Sequence, residues 1–331
     1  MGSHDGHSHP GRKALFDECT IAIRDDGRLM KLDPISLRLF VAVMETGTIA
    51  AASAREHIAT AAASRRLSDL EAALSAVLFA RSNKGTEPTA AAYALLGLAR
   101  GVLNGLDDIA AQMQGYADGV RGQVRVSANI SAITQFLPRE LRDFMDRYPR
   151  VQVHLQERIS TAVAREVAEN IADIGILNAG HYGDERLALL PYREDELVVV
   201  VPKGHPLARR RIALRDALPC DFVGMHPGSA INNRITQAAA EMGLPLKTRM
   251  QVTGYDALCL MVANGMGFGV MPRGSAGLYL RALSLVAVKL DEPWAKRDLV
   301  LCVRQGGELL PATRLLAEHL QQHRAVSAET A

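Results

Sequence analysis

Two groups of side chains have the types and the spacing to do chemistry. The first lies in "TAAASRRLSDLEAAL" (60–74), where Thr60, Ser64, Arg65 and Arg66 stand among alanines and leucines. A guanidinium carries a rigid fork of N–H donors that fits a phosphate or the edge of a guanine, and a hydroxyl can reach either. The second group is spread along the chain: Asn129, Ser131, Ser160, His226, Ser229, Thr253 and Tyr255, each close behind a short apolar run. Hydroxyls and amides placed where a strand hands over to a helix suit the binding of a small polar or anionic molecule. "GVMP", with Met271, would add an apolar piece of wall.

Bond-breaking chemistry finds less support. There is no G-x-S-x-G elbow for His226 to serve and no acid at a spacing that would orient its ring. "GMGFGVMPRG" (265–274) is rich in glycine, but its glycines follow a helical pattern and lead into a strand, the reverse of the order that cradles a pyrophosphate. Cys19, Cys220, Cys259 and Cys302 form no C-x-x-C pair and read as buried or incidental thiols. His4, His7 and His9 are irregularly spaced, with no apolar frame to fix them as metal ligands. The expectation is a binding protein with no cofactor and no metal, and not an enzyme.

The elements that must position these groups are legible from periodicity. "SLRLFVAVMETG" (36–47) places Leu37, Phe40, Val41 and Met44 on one helical face and stops at Gly47. "TIAAASAREHI" (48–58) starts a second helix at Thr48, and a third begins at Thr60 with Ala63, Leu67, Leu70 and Leu74 inward. Three short helices with short connections make a helix-turn-helix, and "VLFARSNKGTEPT" then reads as a small β wing. From Thr89 to Tyr116 a long amphipathic helix repeats Leu95, Val102, Ile109 and Tyr116, with Ala99, Leu106 and Met113 between them. A seven-residue apolar stripe of that width calls for a partner helix, either from a second subunit or from the chain's own C-terminal part. "GYADGVRG" (115–122) ends it.

Beyond Gly122 strands and helices alternate in two sets, and a late strand, "DLVLCV", is free to return to the first set. That pattern implies two α/β lobes built on parallel sheets, with a cleft between them. The chain has 331 residues, 22% of them charged, and a formal net charge of +2, which excludes a nucleic-acid coat driven by bulk charge. The longest apolar run, "LVVVV" (197–201), is strand-sized, and no signal-peptide core precedes the first helix, so a soluble cytoplasmic protein without membrane contact is expected.

In "LRLFVAVMETGTIAAASAREHIATAAASRRLSDLEAALSAVLFARSNKGTEPTAAAYALL" the chain resembles the LysR-type transcriptional regulators. The shared points are Phe40, Gly47, the alanines at 51–52, Ser64-Arg65, Leu70-Glu71 and Leu78-Phe79-x-Arg81. "LPRELRDFMDRYPRVQVHLQE", "DIGIL", "LVVVVPKGHPLA" and "GMGFGVMP" extend the likeness over the C-terminal part, so that it runs from Met30 to His323. The resemblance implies an α/β chain with an N-terminal winged helix-turn-helix, a long linker helix and a C-terminal two-lobed domain like the type 2 periplasmic-binding proteins. It implies residues 1–30 as an extension or tag, 31–89 as the DNA-binding domain, 90–121 as linker, dimerisation helix and hinge, 122–325 as the effector domain, and 326–331 as a tail. Within the effector domain, lobe I would take 122–192 and 296–325, and lobe II 193–295.

The implied partners are double-stranded promoter DNA, a small-molecule effector, RNA polymerase at the promoter, and further copies in a homodimer or homotetramer. Arg65 is expected at a base or phosphate, Ser64 at a phosphate or base edge, and Arg38, Arg66, Arg81 and Lys84 at backbone phosphates. One departure stands out: where the family usually opens its recognition helix with Ser-Gln-Pro-Ala, this chain has "ATAA" (59–62), which puts Thr60 in place of the glutamine. A threonine cannot make the glutamine's bidentate base contact, so the usual half-site is not implied. The effector cleft of the family matches Asn129, Ser131, Ser160, His226, Ser229, Thr253, Tyr255 and Met271 here.

Overall fold

The computed structural model describes residues 21–25, 28–82, 85–118, 121–180, 182, 184–306 and 309–328. The chain divides into two compact units between Leu103 and Asn104. His4, His7, His9, Cys19 and Lys84 lie outside the described residues, as does the 329–331 end of the expected tail.

In the first unit, part of the stretch expected as an extension is structured. Strands β1 (Ile21–Asp25) and β2 (Arg28–Leu32) pair antiparallel, with Ile21 opposite Leu32 and Ile23 opposite Met30. Ordered pairing therefore begins before residue 30. Leu32 packs onto the core of the helices that follow.

Helix α1 (Pro34–Thr46) is capped by Asp33, whose carboxylate accepts from the Ser36 amide at 2.9 Å and from the Ser36 hydroxyl at 2.6 Å. It ends at Gly47, which takes φ 77° so that its N–H can donate to the Val43 carbonyl. Helix α2 (Ile49–Arg55) is capped by Thr48. Helix α3 (Thr60–Leu74) follows Ala59, so Thr60 is its first residue. Ala52 and Ala63 are fully buried, and their small side chains let α2 and α3 close on Leu37, Phe40, Val41, Leu67 and Leu70. The wing is β3 (Phe79–Ser82) paired with β4 (Gly85–Pro88), and Glu71 ties it to α3 by accepting from the amides of Leu78 and Phe79 at 2.7 and 3.0 Å.

Helix α4 (Ala90–Asp118) divides its apolar stripe. Ala92, Ala99, Leu95, Leu96 and Leu103 pack into the first unit's own core. Val102, Ile109 and Met113 stay exposed, at 44%, 61% and 68%. Part of the stripe therefore meets the chain itself, and part is left without a partner. In the second unit Asp108 of α4 accepts from Arg125 at 3.2 Å and from Asn170 at 3.0 Å.

The second unit holds two lobes. The first is built from β5 (Gly122–Ala128), α5 (Ile130–Gln135), α6 (Leu137–Arg147), β6 (Val151–Glu157), α7 (Ser160–Ala168) and β7 (Ile174–Asn178). Strands β5, β6 and β7 are parallel. The long strand β8 (Leu187–Pro202) runs through both lobes. The second lobe follows with β9 (Arg211–Ile212), α8 (Leu214–Ala217), β10 (Phe222–Met225), α9 (Ala230–Glu241), β11 (Thr248–Val252), α10 (Tyr255–Ala263) and β12 (Phe268–Pro272). Helix α11 (Arg273–Leu280) and strand β13 (Leu285–Leu290) complete it, β14 (Lys296–Arg304) returns to the first lobe, and α12 (Pro311–Ala328) ends the chain.

The sheet order is β11-β10-β12-β8-β14-β7-β5-β6. The expectation of purely parallel sheets is corrected at its middle. β8 and β14 run antiparallel to each other and to their neighbours, because they are the strands that cross between lobes. Residues 187–196 of β8 pair with β14, and 197–202 pair with β12 and β13, so the first crossing falls at Glu196–Leu197, later than the expected 192. Each lobe has its own apolar core, one around Leu197–Val201, Phe222 and Phe268, the other around Val124, Phe144, Ile174 and Leu316.

The glycines of "GMGFGV" serve packing. Gly267 has φ 140°, and a Cβ there would sit 2.2 Å from the Asp221 carbonyl oxygen, so only glycine lets α10 pass into β12 beside that backbone.

Candidate functional site

The first candidate surface is the open face of α3. Ala63, Leu67 and Leu70 turn into the core, which leaves Thr60, Ser64 and Arg65 exposed on the other side. Arg65 makes no hydrogen bond or ion pair among the described residues, so its guanidinium is available to an outside anion. Arg38 is exposed on α1. Arg66 differs from expectation: it is half-buried and lies 3.4 Å from the Asp33 carboxylate, so its charge already has a partner within the unit. Burial alone would raise the Asp33 carboxyl, but the hydrogen bonds from Ser36 and the Arg66 charge outweigh it and hold the group below its usual value. Arg81 lies on β3, with its side chain outside the described residues.

The second candidate is a cavity of about 340 Å³ in the second unit. Six of the side chains expected there line it: Asn129, Ser131, Ser160, His226, Ser229 and Tyr255. They arrive from strand ends in both lobes. Asn129, directly after β5, caps α5 by accepting from the Ala132 amide at 3.0 Å, and its Nδ2 donates to Ser160 Oγ at 3.4 Å. Ser160 Oγ also accepts from the Asn178 amide at 3.3 Å. This chain of bonds fixes the ends of β5 and β7 and the start of α7 against one another. Ser160 is the first residue of α7 and not its cap, which is Ile159. Ser229 holds the cap position of α9 but makes no side-chain cap bond. The Ser131 and Tyr255 hydroxyls meet across the lobes at 3.1 Å. Burial is the main influence on Tyr255 and pushes its hydroxyl up to about 12, so it stays protonated near neutral pH.

Thr253 and Met271 are not among the lining residues. Met271 is fully buried in β12, where its sulfur accepts from the Cys259 thiol at 3.5 Å within the lobe core. Every residue of β12 is buried, so the strand is covered on both faces and Met271 packs in the lobe core.

The lining also includes Glu157, Arg158, Asn178 and Arg297, which spacing did not single out. Glu157 and Arg158 directly precede the α7 start, so their place could have been found from the same strand-to-helix rule that selected Ser160. Arg297 could not. It sits opposite Asp195 in the β8–β14 ladder and grips that carboxylate with Nε, at 2.8 Å, and with Nη2. Nη2 also reaches Ser131 Oγ at 3.3 Å. The Asp195 side chain is fully buried and that of Arg297 is 13% exposed.

Comparison with known proteins assigns a family model to each of the two units. Residues 35–93 match the model for bacterial regulatory helix-turn-helix proteins of the lysR family, and residues 117–325 match the LysR substrate binding domain. The HTH-type transcriptional regulator BbuR of Bordetella bronchiseptica is 27% identical over 296 residues, 87% of this chain and 88% of that protein. The HTH-type transcriptional regulator CysL of Bacillus subtilis is 25% identical over 238 residues, 72% of this chain and 79% of that one. Among solved structures, CbnR, a LysR family transcriptional regulator, superposes with a TM-score of 0.67 at 20% identity, covering 88% of this chain and 99% of CbnR. Full-length CbnR complexed with its target DNA gives 0.66 at the same identity. With family models matching over both units, the chain belongs to the LysR family of transcriptional regulators, pairing a DNA-binding helix-turn-helix with an effector-binding domain.

Proposed function

We propose that α3 enters the major groove with Thr60, Ser64 and Arg65 toward base edges and phosphates, while Arg38, Arg81 and Lys84 contact the flanking backbone. The exposed guanidinium of Arg65, with no hydrogen bond or ion pair among the described residues and on a helix whose opposite face is core, carries this reading. Arg66 contributes only by giving up Asp33, which makes it the weaker contact. The protein acts in the cytoplasm as a regulator and not as a catalyst, and its effector is a small polar molecule bound in the cavity between the lobes. Asn129, Ser131, Ser160, His226, Ser229 and Tyr255 hold that effector. Copies assemble through the exposed part of the α4 stripe, Val102, Ile109 and Met113, because three large apolar side chains on one helix are costly to leave in water. A homodimer or homotetramer built in this way lets several weak half-sites act together on the promoter.

The test is fluorescence anisotropy with the full chain and labelled DNA from upstream of its own gene, across a salt series. Arg65→Ala is expected to cost about 1–3 kcal/mol per site and to flatten the slope of log K against log salt. Equal affinity and equal slope for parent and variant would refute the assignment.

A further inference from the structure

The polar atoms of the cavity are not those of a simple anion site. Two guanidiniums line it, and each already holds a carboxylate. Arg158 donates from Nε to Glu166 at 2.7 Å, from Nη2 to the Gln156 side-chain oxygen at 2.6 Å and from Nη1 to the Glu157 carbonyl at 2.8 Å. Arg297 is spent on Asp195. The third carboxylate, Glu157, faces the cavity with no hydrogen bond or ion pair among the described residues. Three carboxylates against two guanidiniums leave the surroundings negative, which disfavours a ligand that brings only negative charge.

The unsatisfied atoms point the same way. Asn178 Oδ1 is buried with no donor among the described residues. His226 Nδ1 lies 2.9 Å from the Pro227 carbonyl, which can only accept, so Nδ1 carries a proton, and in the tautomer that has its proton there Nε2 is the acceptor. Glu157, Asn178 and His226 together present acceptors, and an ammonium answers them with three N–H donors and a positive charge. On the donor side, Arg297 Nη1 is buried with no acceptor among the described residues. The starts of α7 and α9 also lack side-chain caps. Asn178 pairs with Leu299 across β7 and β14, which puts Arg297 one diagonal step away, about 7–8 Å in a sheet. Ile130, Ile159 and Ile231 supply apolar wall. The volume of about 340 Å³ is at the small end of ligand sites.

We propose that the effector is an amino-acid-like zwitterion, its ammonium taken up by Glu157, Asn178 and His226 and its carboxylate by Arg297 Nη1 and the uncapped helix starts. This rests on the reading of the cavity as the effector site. The experiment is titration calorimetry of the full chain with the standard L-amino acids, with their 2-hydroxy acid counterparts and with their decarboxylated amines. At least one amino acid is expected to bind, and its hydroxy acid and its amine to bind about tenfold more weakly or worse. Glu157→Gln removes the preference for the amino acid over the hydroxy acid. Glu157→Lys reverses it, a gain that a misfolded chain cannot produce. The inference is overturned if no amino acid binds, if the hydroxy acid binds as well as the amino acid, or if Glu157→Gln leaves their ratio unchanged. Ser229→Trp, which fills the cavity, separates this from failure of the underlying reading. Hydroxy acids that bind best and are lost with Ser229→Trp refute the zwitterion alone, whereas binding that survives Ser229→Trp refutes the cavity as the site.

Discussion

Arg297→Met gives the most direct measure of how dry the cavity floor is. The substitution keeps an unbranched apolar stem but removes both guanidinium bonds to Asp195. Asp195 has a fully buried side chain and would keep one weak donor, Gln135 Nε2 at 3.3 Å. Removing one partner of a buried ion pair costs roughly 3–5 kcal/mol, chiefly because the other charge is stranded. The remaining Gln135 bond and the added apolar burial move the expectation to the lower end, about 3 kcal/mol. Asp195→Leu on top of Arg297→Met removes the stranded charge, so the double variant is expected to recover most of the loss. Urea unfolding of the full chain, followed by fluorescence, can read this selectively. Trp294 is the only tryptophan and packs against the core of the second lobe, with the Arg234 guanidinium 5.1 Å from its ring. A single-variant loss below about 1 kcal/mol, or a double variant no better than the single, would mean that water reaches Asp195. The same water would then satisfy Arg297 Nη1, which would no longer call for a ligand carboxylate.

Gly267→Ala should lower stability by more than about 2 kcal/mol in thermal unfolding, since it combines a strained φ with a backbone clash at Asp221; a near-neutral result would mean that the turn has another conformation. Burial pushes the Cys259 and Cys302 thiols up to about 12, so native alkylation at mildly alkaline pH should leave both unmodified until the chain is unfolded, as mass spectrometry of labelled peptides would show. Folding holds the Asp33 carboxyl below its ordinary value of 3.8. Its stabilisation is therefore complete above that value and is lost as pH falls through the lower, folded one. Asp33→Asn should lower the neutral plateau of a stability-against-pH curve for the helix-turn-helix and leave its acid end little changed, so that the acid limb flattens; an unaltered acid limb would show that the cap is not the titrating contact.

How much could be read in advance depended on how local the cause was. The α1 stop at Gly47, the Thr48 cap, the inward run Ala63, Leu67 and Leu70 and the wing arms are each decided within a few residues, and periodicity shows them. So are the strand-to-helix junctions that bring Asn129, Ser131, Ser160 and Ser229 to the cavity. The β8 start is harder, because "LALLPYRED" carries a proline and several charges. Pro191 is accommodated beside an irregularity of the β14 register, between Leu299 and Val300, where its missing N–H is tolerated. Arg297 is harder still: its contacts with Asp195 and Ser131 lie 102 and 166 residues away along the chain. Only the return of β14 beside β8 creates them, and no local pattern encodes that return.

That same return explains why the cavity floor is suited to couple binding to lobe geometry. The lobes are joined where β8 passes from Glu196 to Leu197 and where the chain re-enters at Lys296. Asp195 and Arg297 are the residues next to these two crossings. A ligand that engages Arg297 therefore acts on the strands between the lobes as well as on their facing surfaces. The Ser131–Tyr255 and Thr134–Ser275 hydroxyl pairs, at 3.1 and 2.7 Å, join the lobes. They are single neutral hydrogen bonds, each worth about 1 kcal/mol net. An effector needs a differential affinity of only a few kcal/mol for another lobe angle to outweigh both, which is within reach of one charge-assisted contact at each end of a zwitterion.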